Sequence, residues 1–432
     1  ADMRRCCGCW WRPAGPRRDG GLASACDVLA PPEEAPQKPD NVEGCRAKIA
    51  AGDGEAELDQ SVAPGVTIAT VPPSVTGFPA WSRREDYVLA DADRDRGHAD
   101  WVVPDGADNA TPRILYCHGG GYEYYSPQDV YRPATSRLAR ASGMPVLAFD
   151  YRLVPEFGYQ AVSDAGLPAQ LQDAVQAFRW IAANGPQGRG KASAVFLAGD
   201  SAGGGLALAL AVRLRDQPVP GAGVAAVSVV SPETDLTCSG ESYKSRRWVS
   251  NGGPHCDPMF RDKDPAAASM PTIDLLVGKP GAPGAIPAHS SPLSPLHSEL
   301  HGLPPIQVQV GDAEVMRSDS TEFARRAAAA GSHVELTVWP RMWHTFTQFT
   351  EGCGGGDAEP LEEALAGIRK QGIFLRAHAL QVAAATGGAT DAAADPQAAA
   401  AKPQPADAAA DPQAAAAKPQ PADAAADPQA AA

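Results

Sequence analysis

Two glycine motifs, each set directly after a short apolar run, restrict this chain more than any other feature. Residues 113–117 read Arg-Ile-Leu-Tyr-Cys and open onto His118-Gly119-Gly120-Gly121. Residues 193–198 read Ser-Ala-Val-Phe-Leu-Ala and open onto Gly199-Asp200-Ser201-Ala202-Gly203. Short apolar runs closed by glycine are the pattern of buried strands. Residues 202–216 then continue as a good helix closed by basic residues. Strand, tight turn and helix together present Ser201 on a sharp bend at the end of a sheet. A chain with 43 glycines produces Gly-x-Ser-x-Gly easily by chance. The His-Gly-Gly-Gly run is far rarer, and the shared strand context binds the two motifs together. One offers backbone donors for an oxyanion and the other a nucleophile, the two halves of an acyl-transfer site.

A serine hydroxyl attacks only when a base takes its proton and a third group orients that base. On a strand–turn–helix scaffold of this kind, the acid and then the histidine follow the serine in chain order, each just past a strand. Residues 306–310, Ile-Gln-Val-Gln-Val, alternate as a strand and lead into Gly311-Asp312-Ala313-Glu314. Residues 333–339 form the next strand pattern and lead into Pro340-Arg341-Met342-Trp343-His344. His344 is therefore the candidate base. His255, His289, His297 and His301 precede the acid, His333 opens a strand, and His378 falls in a closing helix. Asp312 and Glu314 share the right turn, and position alone leaves both open as the acid.

The rest of the chain alternates in the same way. Helices are expected near residues 130–141, 169–183, 318–330 and 359–382, with further strands at 145–151 and 225–231. That order predicts an α/β fold, a mostly parallel central sheet with helices on both faces. Residues 240–290 are rich in Gly, Pro and charge and read poorly as helix. Three regions are expected: residues 1–60 irregular or partly cap-forming, 61–385 the α/β domain, and 386–432 a disordered tail. In that tail the segment from Asp391 to Ala406 recurs without change from Asp407 to Ala422. These repeats carry no large apolar side chain with which to build a core.

The net charge of −14, from 37 basic and 51 acidic residues, argues against nucleic acid or anionic membrane surfaces as partners. No run of 18 apolar residues is present, so no transmembrane segment is expected. The nine cysteines are odd in number and widely scattered. They do not read as a disulfide framework, which favours a reducing, cytoplasmic location; organelle targeting by a truncated N-terminus stays open. Cys6 and Cys9 form the one Cys-x-x-C, without a second pair at zinc-site spacing, so no metal or organic cofactor is expected.

Taken in order, the motifs resemble the hormone-sensitive-lipase-like branch of the α/β-hydrolase family, which includes carboxylesterases and deacetylases. The likeness runs from about Trp81 to about Leu380. It rests on His-Gly-Gly-Gly-Tyr at 118–122, Asp-Tyr-Arg-Leu-Val-Pro-Glu at 150–156 and Gly-Asp-Ser-Ala-Gly at 199–203. It rests further on Ser-Pro-Glu-Thr-Asp-Leu at 231–236, the 303–316 segment and Trp-His-Thr-Phe at 343–346. The resemblance implies an α/β-hydrolase fold with a cap built from the N-terminal region and inserted segments. It implies Ser201 as nucleophile, His344 as base and Glu314 as acid, with Asp312 as the alternative. Gly120, Gly121 and Ala202 would form the oxyanion hole, with His118 and Gly119 shaping the loop. Asp150, Arg152 and Glu156 would tie the strand end to its neighbours. Residues 157–166 look like an insertion. Tyr122, Tyr124, Tyr125 and Trp343 are candidates for a substrate pocket that suits a small apolar ester, with core packing as the competing role. The implied activity is hydrolysis of small to medium carboxylic esters through an acyl-enzyme. Amides, lactones and acetyl groups suit the same triad. A hormone-type receptor on this fold would bind without turnover, but such receptors lack the catalytic histidine.

Overall fold

In the computed structural model the described residues are 41–51, 61–78, 81–82, 95–154, 157–159, 166–247, 255–260, 264–353 and 360–385. The expectations for Cys6, Cys9, Glu156 and the repeat tail fall outside them. The main strands are β1 (Val66–Val71), β2 (Ala99–Pro104), β3 (Arg113–Cys117), β4 (Val146–Phe149), β5 (Val195–Asp200), β6 (Val224–Val230), β7 (Ile306–Gly311) and β8 (Val334–Trp339). They form one eight-stranded sheet in the order β1-β2-β4-β3-β5-β6-β7-β8. The six strands from β3 to β8 run parallel. The first two do not: β2 pairs antiparallel with both β1 and β4. Sequence reading missed β1 and β2. Each has its alternation interrupted by Thr, Asp or Pro, and β2 gains its ladder only from strands on both sides of it in the chain.

The principal helices are α1 (Asn41–Ala51), α2 (Arg132–Ser142), α3 (Ala169–Ala183), α4 (Ser201–Asp216), α5 (Pro265–Val277), α6 (Arg317–Ala329) and α7 (Glu362–Ala385). Successive strand residues face opposite sides. Leu115, Cys117, Leu197 and Val229 therefore enter one core with Phe178 of α3, Leu206 of α4 and Phe323 of α6. Ile114, Tyr116, Phe196 and Ala198 enter a second core with Leu138 of α2 and Ile368, Phe374 and Leu375 of α7. A sheet buried on both faces needs apolar residues on both, which is why its central strands read as unbroken apolar runs.

Three expectations need correction. Residues 240–290 hold a real helix, α5, despite their composition. Asp264 caps it, its Oδ1 accepting from the amides of Ala266 (3.1 Å) and Ala267 (3.3 Å). Pro265 stands at the first position, where a missing N–H costs nothing, and Ile273, Leu276 and Val277 are buried. Residues 41–51 lie in the region expected to be irregular or partly cap-forming, and they are regular: they form α1, which buries Val42, Cys45 and Ile49. The cysteines, finally, are not all reduced: Cys45 is bonded to Cys353, and Cys256 is also disulfide-bonded. The spacing of 308 residues between Cys45 and Cys353 carried no local signal of this pairing. Cys117 and Cys238 are buried thiols.

Candidate active site

The carboxyl ends of the parallel strands gather the predicted residues at one place. β5 ends at Asp200, and Ser201, the next residue, has φ +52°, in the left-handed region. A non-glycine residue held there is strained by about 1–2 kcal/mol, which the surroundings must offset. The glycines around it are required by space. A Cβ on Gly199 would lie 2.6 Å from the Gly203 carbonyl oxygen. One on Gly203 would strike the carbonyl oxygens of Cys117 and His118, and one on Gly205 that of Glu233. The bend therefore sits with its first helical turn pressed against the neighbouring loops.

The glycine run after β3 lies alongside. His118 is fully buried, stacks on Tyr151 at 4.2 Å between ring centroids, and gives its carbonyl oxygen to the Tyr151 hydroxyl at 2.7 Å. Gly119 leaves no room for a side chain, since a Cβ there would meet the Asp200 carboxylate at 2.6 Å. Gly120 and Gly121 have φ of +110° and +61°, a conformation that favours glycine. The Gly120 carbonyl oxygen accepts from the amides of Glu123 and Tyr124 and closes the turn. Among the described residues, no backbone acceptor takes the amide hydrogens of Gly120 or Gly121. The Ala202 amide, in the first helical turn, has no partner one turn back. Asp200 underpins the arrangement: its carboxylate accepts from the hydroxyls of Tyr116 (2.7 Å) and Tyr131 (3.3 Å). Burial pushes its pKa up to about 6 against those donors.

Ser201 Oγ and His344 Nε2 lie 2.9 Å apart. Behind the imidazole, His344 Nδ1 stands 3.7 Å from Glu314 Oε1, an ion-pair separation just beyond a hydrogen bond. Catalytic contacts of this kind are often long before substrate binds and tighten in the Michaelis complex. The other carboxylate oxygen, Oε2, accepts from Ser231 Oγ at 2.7 Å and from the Gly311 amide at 2.9 Å. Asp312, the alternative acid, faces elsewhere: its Oδ1 accepts from the Arg341 amide at 2.7 Å and fixes the turn that leads to His344. Burial pulls the His344 pKa down, but the carboxylates of Glu314, Asp257 and Asp200 outweigh it and the net shift is upward.

Several neighbours were not foreseen. Ser231 also accepts from the Thr345 amide at 3.1 Å, so one hydroxyl links the acid to the histidine loop. Asp257 is fully buried, accepts from the Val315 amide at 3.1 Å, and is pushed up to about 6 by burial. Phe260 stands edge-on to His344 at 5.5 Å between ring centroids. Helix α5 touches the oxyanion loop through Thr272, whose hydroxyl donates to Glu123 Oε2 at 2.8 Å. Ser231 follows a buried strand just as the others do, and that position was the one available signal for it.

The aromatic candidates separate. Tyr122 is fully buried, Tyr124 nearly so, and Tyr125 is half-buried beside Tyr124. Trp343 does not line the site. It packs with Val42, Cys45, Ile49 and Phe349 against α1, which is the core role. Within the region expected to be irregular or partly cap-forming, α1 braces the histidine loop from behind. The buried Arg46 guanidinium donates to the Arg341 carbonyl at 2.9 Å and to that of Cys256, and Lys48 donates to the Cys353 carbonyl at 2.8 Å. Asp150 accepts from the Gly97 amide at 3.0 Å, and Arg152 pairs with Asp173 at 2.7 Å, so both tie strand ends to neighbours as expected.

Known proteins resemble this arrangement. A sequence profile of the α/β-hydrolase fold matches residues 114–348. The chain is 36% identical over 287 residues to an acetyl-hydrolase of Streptomyces hygroscopicus, an alignment covering 65% of this chain and 80% of that protein. It is 30% identical to the esterase LipU of Mycobacterium tuberculosis, covering 64% of this chain and 81% of the relative. Among solved structures, a bacterial esterase of the hormone-sensitive lipase family superposes with a TM-score of 0.58 at 28% identity, covering 80% of this chain and 100% of the other.

Proposed function

The chain belongs to the α/β-hydrolase fold family, in its hormone-sensitive-lipase-like branch, and we propose that it is a serine carboxylesterase working through Ser201, His344 and Glu314. The observation that carries this reading is the 2.9 Å approach of Ser201 Oγ to His344 Nε2, with the Glu314 carboxylate on the far side of the ring. Ser201 Oγ attacks the ester carbonyl carbon as Nε2 takes its proton. The proton on Nδ1 then faces Glu314, which stabilises the imidazolium. The carbonyl oxygen becomes an oxyanion held by the amides of Gly120, Gly121 and Ala202, of which each such donor contributes roughly 3–4 kcal/mol. His344 passes its proton to the leaving alcohol, and water repeats the cycle on the acyl-enzyme.

The name of the Streptomyces acetyl-hydrolase favours acetyl esters among the substrates. A receptor without turnover is disfavoured because His344 is present and within reach of Ser201. We further infer an oxidising compartment from the Cys45–Cys353 bond, since reducing compartments keep such pairs open. Among the described residues, no helix is long and apolar enough to cross a membrane.

The test is turnover of p-nitrophenyl esters from acetate to octanoate by the wild type and by Ser201→Ala. Loss of at least 10³-fold in kcat in the variant is expected. Turnover that survives the substitution rules out Ser201 as the nucleophile.

A further inference from the structure

Glu233 is a carboxyl group beside the nucleophile that the reaction above does not use. It sits in the turn after β6, and its amide donates to the Ser201 carbonyl oxygen at 3.0 Å. It is only 6% exposed. No hydrogen bond from the described residues reaches its carboxylate, although a buried carboxylate normally collects several donors. Its charge lies near His344, and its field reaches Tyr122, Cys238, Tyr243 and Asp319. Burial pushes it up to about 7, and His344 pulls it back down.

Tyr122 supplies a second, independent sign. It belongs to the oxyanion loop and has φ +59°, a conformation that a bulky residue adopts only when held there. Its ring is fully buried, and among the described residues its hydroxyl has no hydrogen-bond partner. That hydroxyl lies 3.4 Å from where a Cβ on Gly205 would be, over the first turn of the nucleophile helix. Two polar groups, one from the turn after β6 and one from the oxyanion loop, thus approach the nucleophile without protein partners. A site meant only for alkyl groups would be better served by apolar residues at both positions, because unpaired buried polar groups cost stability.

We propose that Glu233 and Tyr122 form a polar subsite next to Ser201, and that the preferred substrate is an ester carrying a hydrogen-bond donor, a hydroxyl or an ammonium, close to its carbonyl. Glu233 accepts from that donor, and Tyr122 stands beside it as a buried polar wall over the start of α4. This refines the small apolar ester expected from the sequence and rests on the Ser201 hydrolase reading. Glu233 acts here in specificity. It neither attacks nor transfers the reaction proton.

The experiment compares matched pairs that differ by one hydroxyl. On the acyl side the pair is p-nitrophenyl butyrate and p-nitrophenyl 3-hydroxybutyrate. On the alcohol side it is propyl acetate and 2-hydroxyethyl acetate. The wild type should favour the hydroxylated member of one pair by at least about tenfold in kcat/KM, since a site built to bond a donor rejects the analogue without it. Glu233→Leu should bring that ratio to about one or below, and the near-isosteric Glu233→Gln should lie between. Labelling of Ser201 by a fluorophosphonate reports that each variant is folded. Ratios near one in the wild type, or a wild-type preference that persists in both folded variants, overturn the subsite. Ser201→Ala on the same four substrates tests the underlying hydrolase reading separately, because survival of turnover there defeats that reading whatever Glu233 does.

Discussion

Ser231 Oγ donates to Glu314 Oε2 at 2.7 Å, and the same oxygen accepts from the Thr345 amide, next to His344. Acid and base are thereby set against each other through a third side chain that touches no substrate. Ser231→Ala should lower kcat roughly tenfold with KM little changed, since one hydrogen bond to a charged group contributes about 1.5–3 kcal/mol. A rise in KM alone would show that the hydroxyl does not position the acid.

Glu314 and Asp312 should differ sharply. Glu314→Gln should cost on the order of 10³–10⁴-fold in kcat, as loss of the orienting carboxylate does in other triads. Asp312→Asn keeps an oxygen for the Arg341 amide and should retain most of the activity. An inactive Asp312→Asn beside an active Glu314→Gln would reverse the assignment.

The pH profile follows from the charges around His344. The imidazole serves as a base only when neutral, so kcat/KM falls as pH drops through its pKa. Neighbouring carboxylates raise that pKa above 6.5, so the acid midpoint should lie above this value. Glu314→Gln removes the strongest upward influence, and the residual activity should show its midpoint at lower pH. Glu233 titrates at about 7, so the profile is best recorded in Glu233→Gln as well. A midpoint that rises in Glu314→Gln contradicts the scheme.

The bond between Cys45 and Cys353 holds α1 against the histidine loop. Replacing both cysteines by serine should lower stability by on the order of 2–4 kcal/mol, read as a lower urea midpoint. Activity should fall at temperatures below the unfolding midpoint, because α1 also holds Arg341 through Arg46. An unchanged midpoint would mean that the packing of α1 suffices by itself.

Gly203→Ala should be severe. The added methyl group would enter the space of the Cys117 and His118 carbonyl oxygens. A loss of about 1–3 kcal/mol is expected for such overpacking, together with a fall in kcat as the oxyanion loop is displaced. Thermal melting and ester turnover measure the two effects, and a variant equal to wild type in both would show that the bend has more room than these contacts allow.

Much of this was written locally in the chain. β3 and α3 fall at their expected residues because each carries its own apolar period and sharp ends. Ser201 and His344 were legible for a similar reason: each stands just past a strand, so chain order reports spatial order, whereas position left Asp312 and Glu314 both open and the family resemblance alone favoured Glu314. Features made by distant segments were not legible. Ser231 and Glu233 reach the site on the turn after β6 and Asp257 on the segment before α5, and the motif that holds the first two gave them no role. Trp343 misled by adjacency, because its neighbour His344 turns toward the serine while its own ring turns into the α1 core. The charge-rich region before α5 hid a helix because a single aspartate cap outweighed its composition.

The brace behind His344 joins two parts of the molecule that lie 308 residues apart along the chain. As the polypeptide leaves the ribosome, α1 must wait, its apolar side unattached, until residue 353 arrives. Partial products cut short before that point would hold the serine in its bend and lack one fastening behind the imidazole.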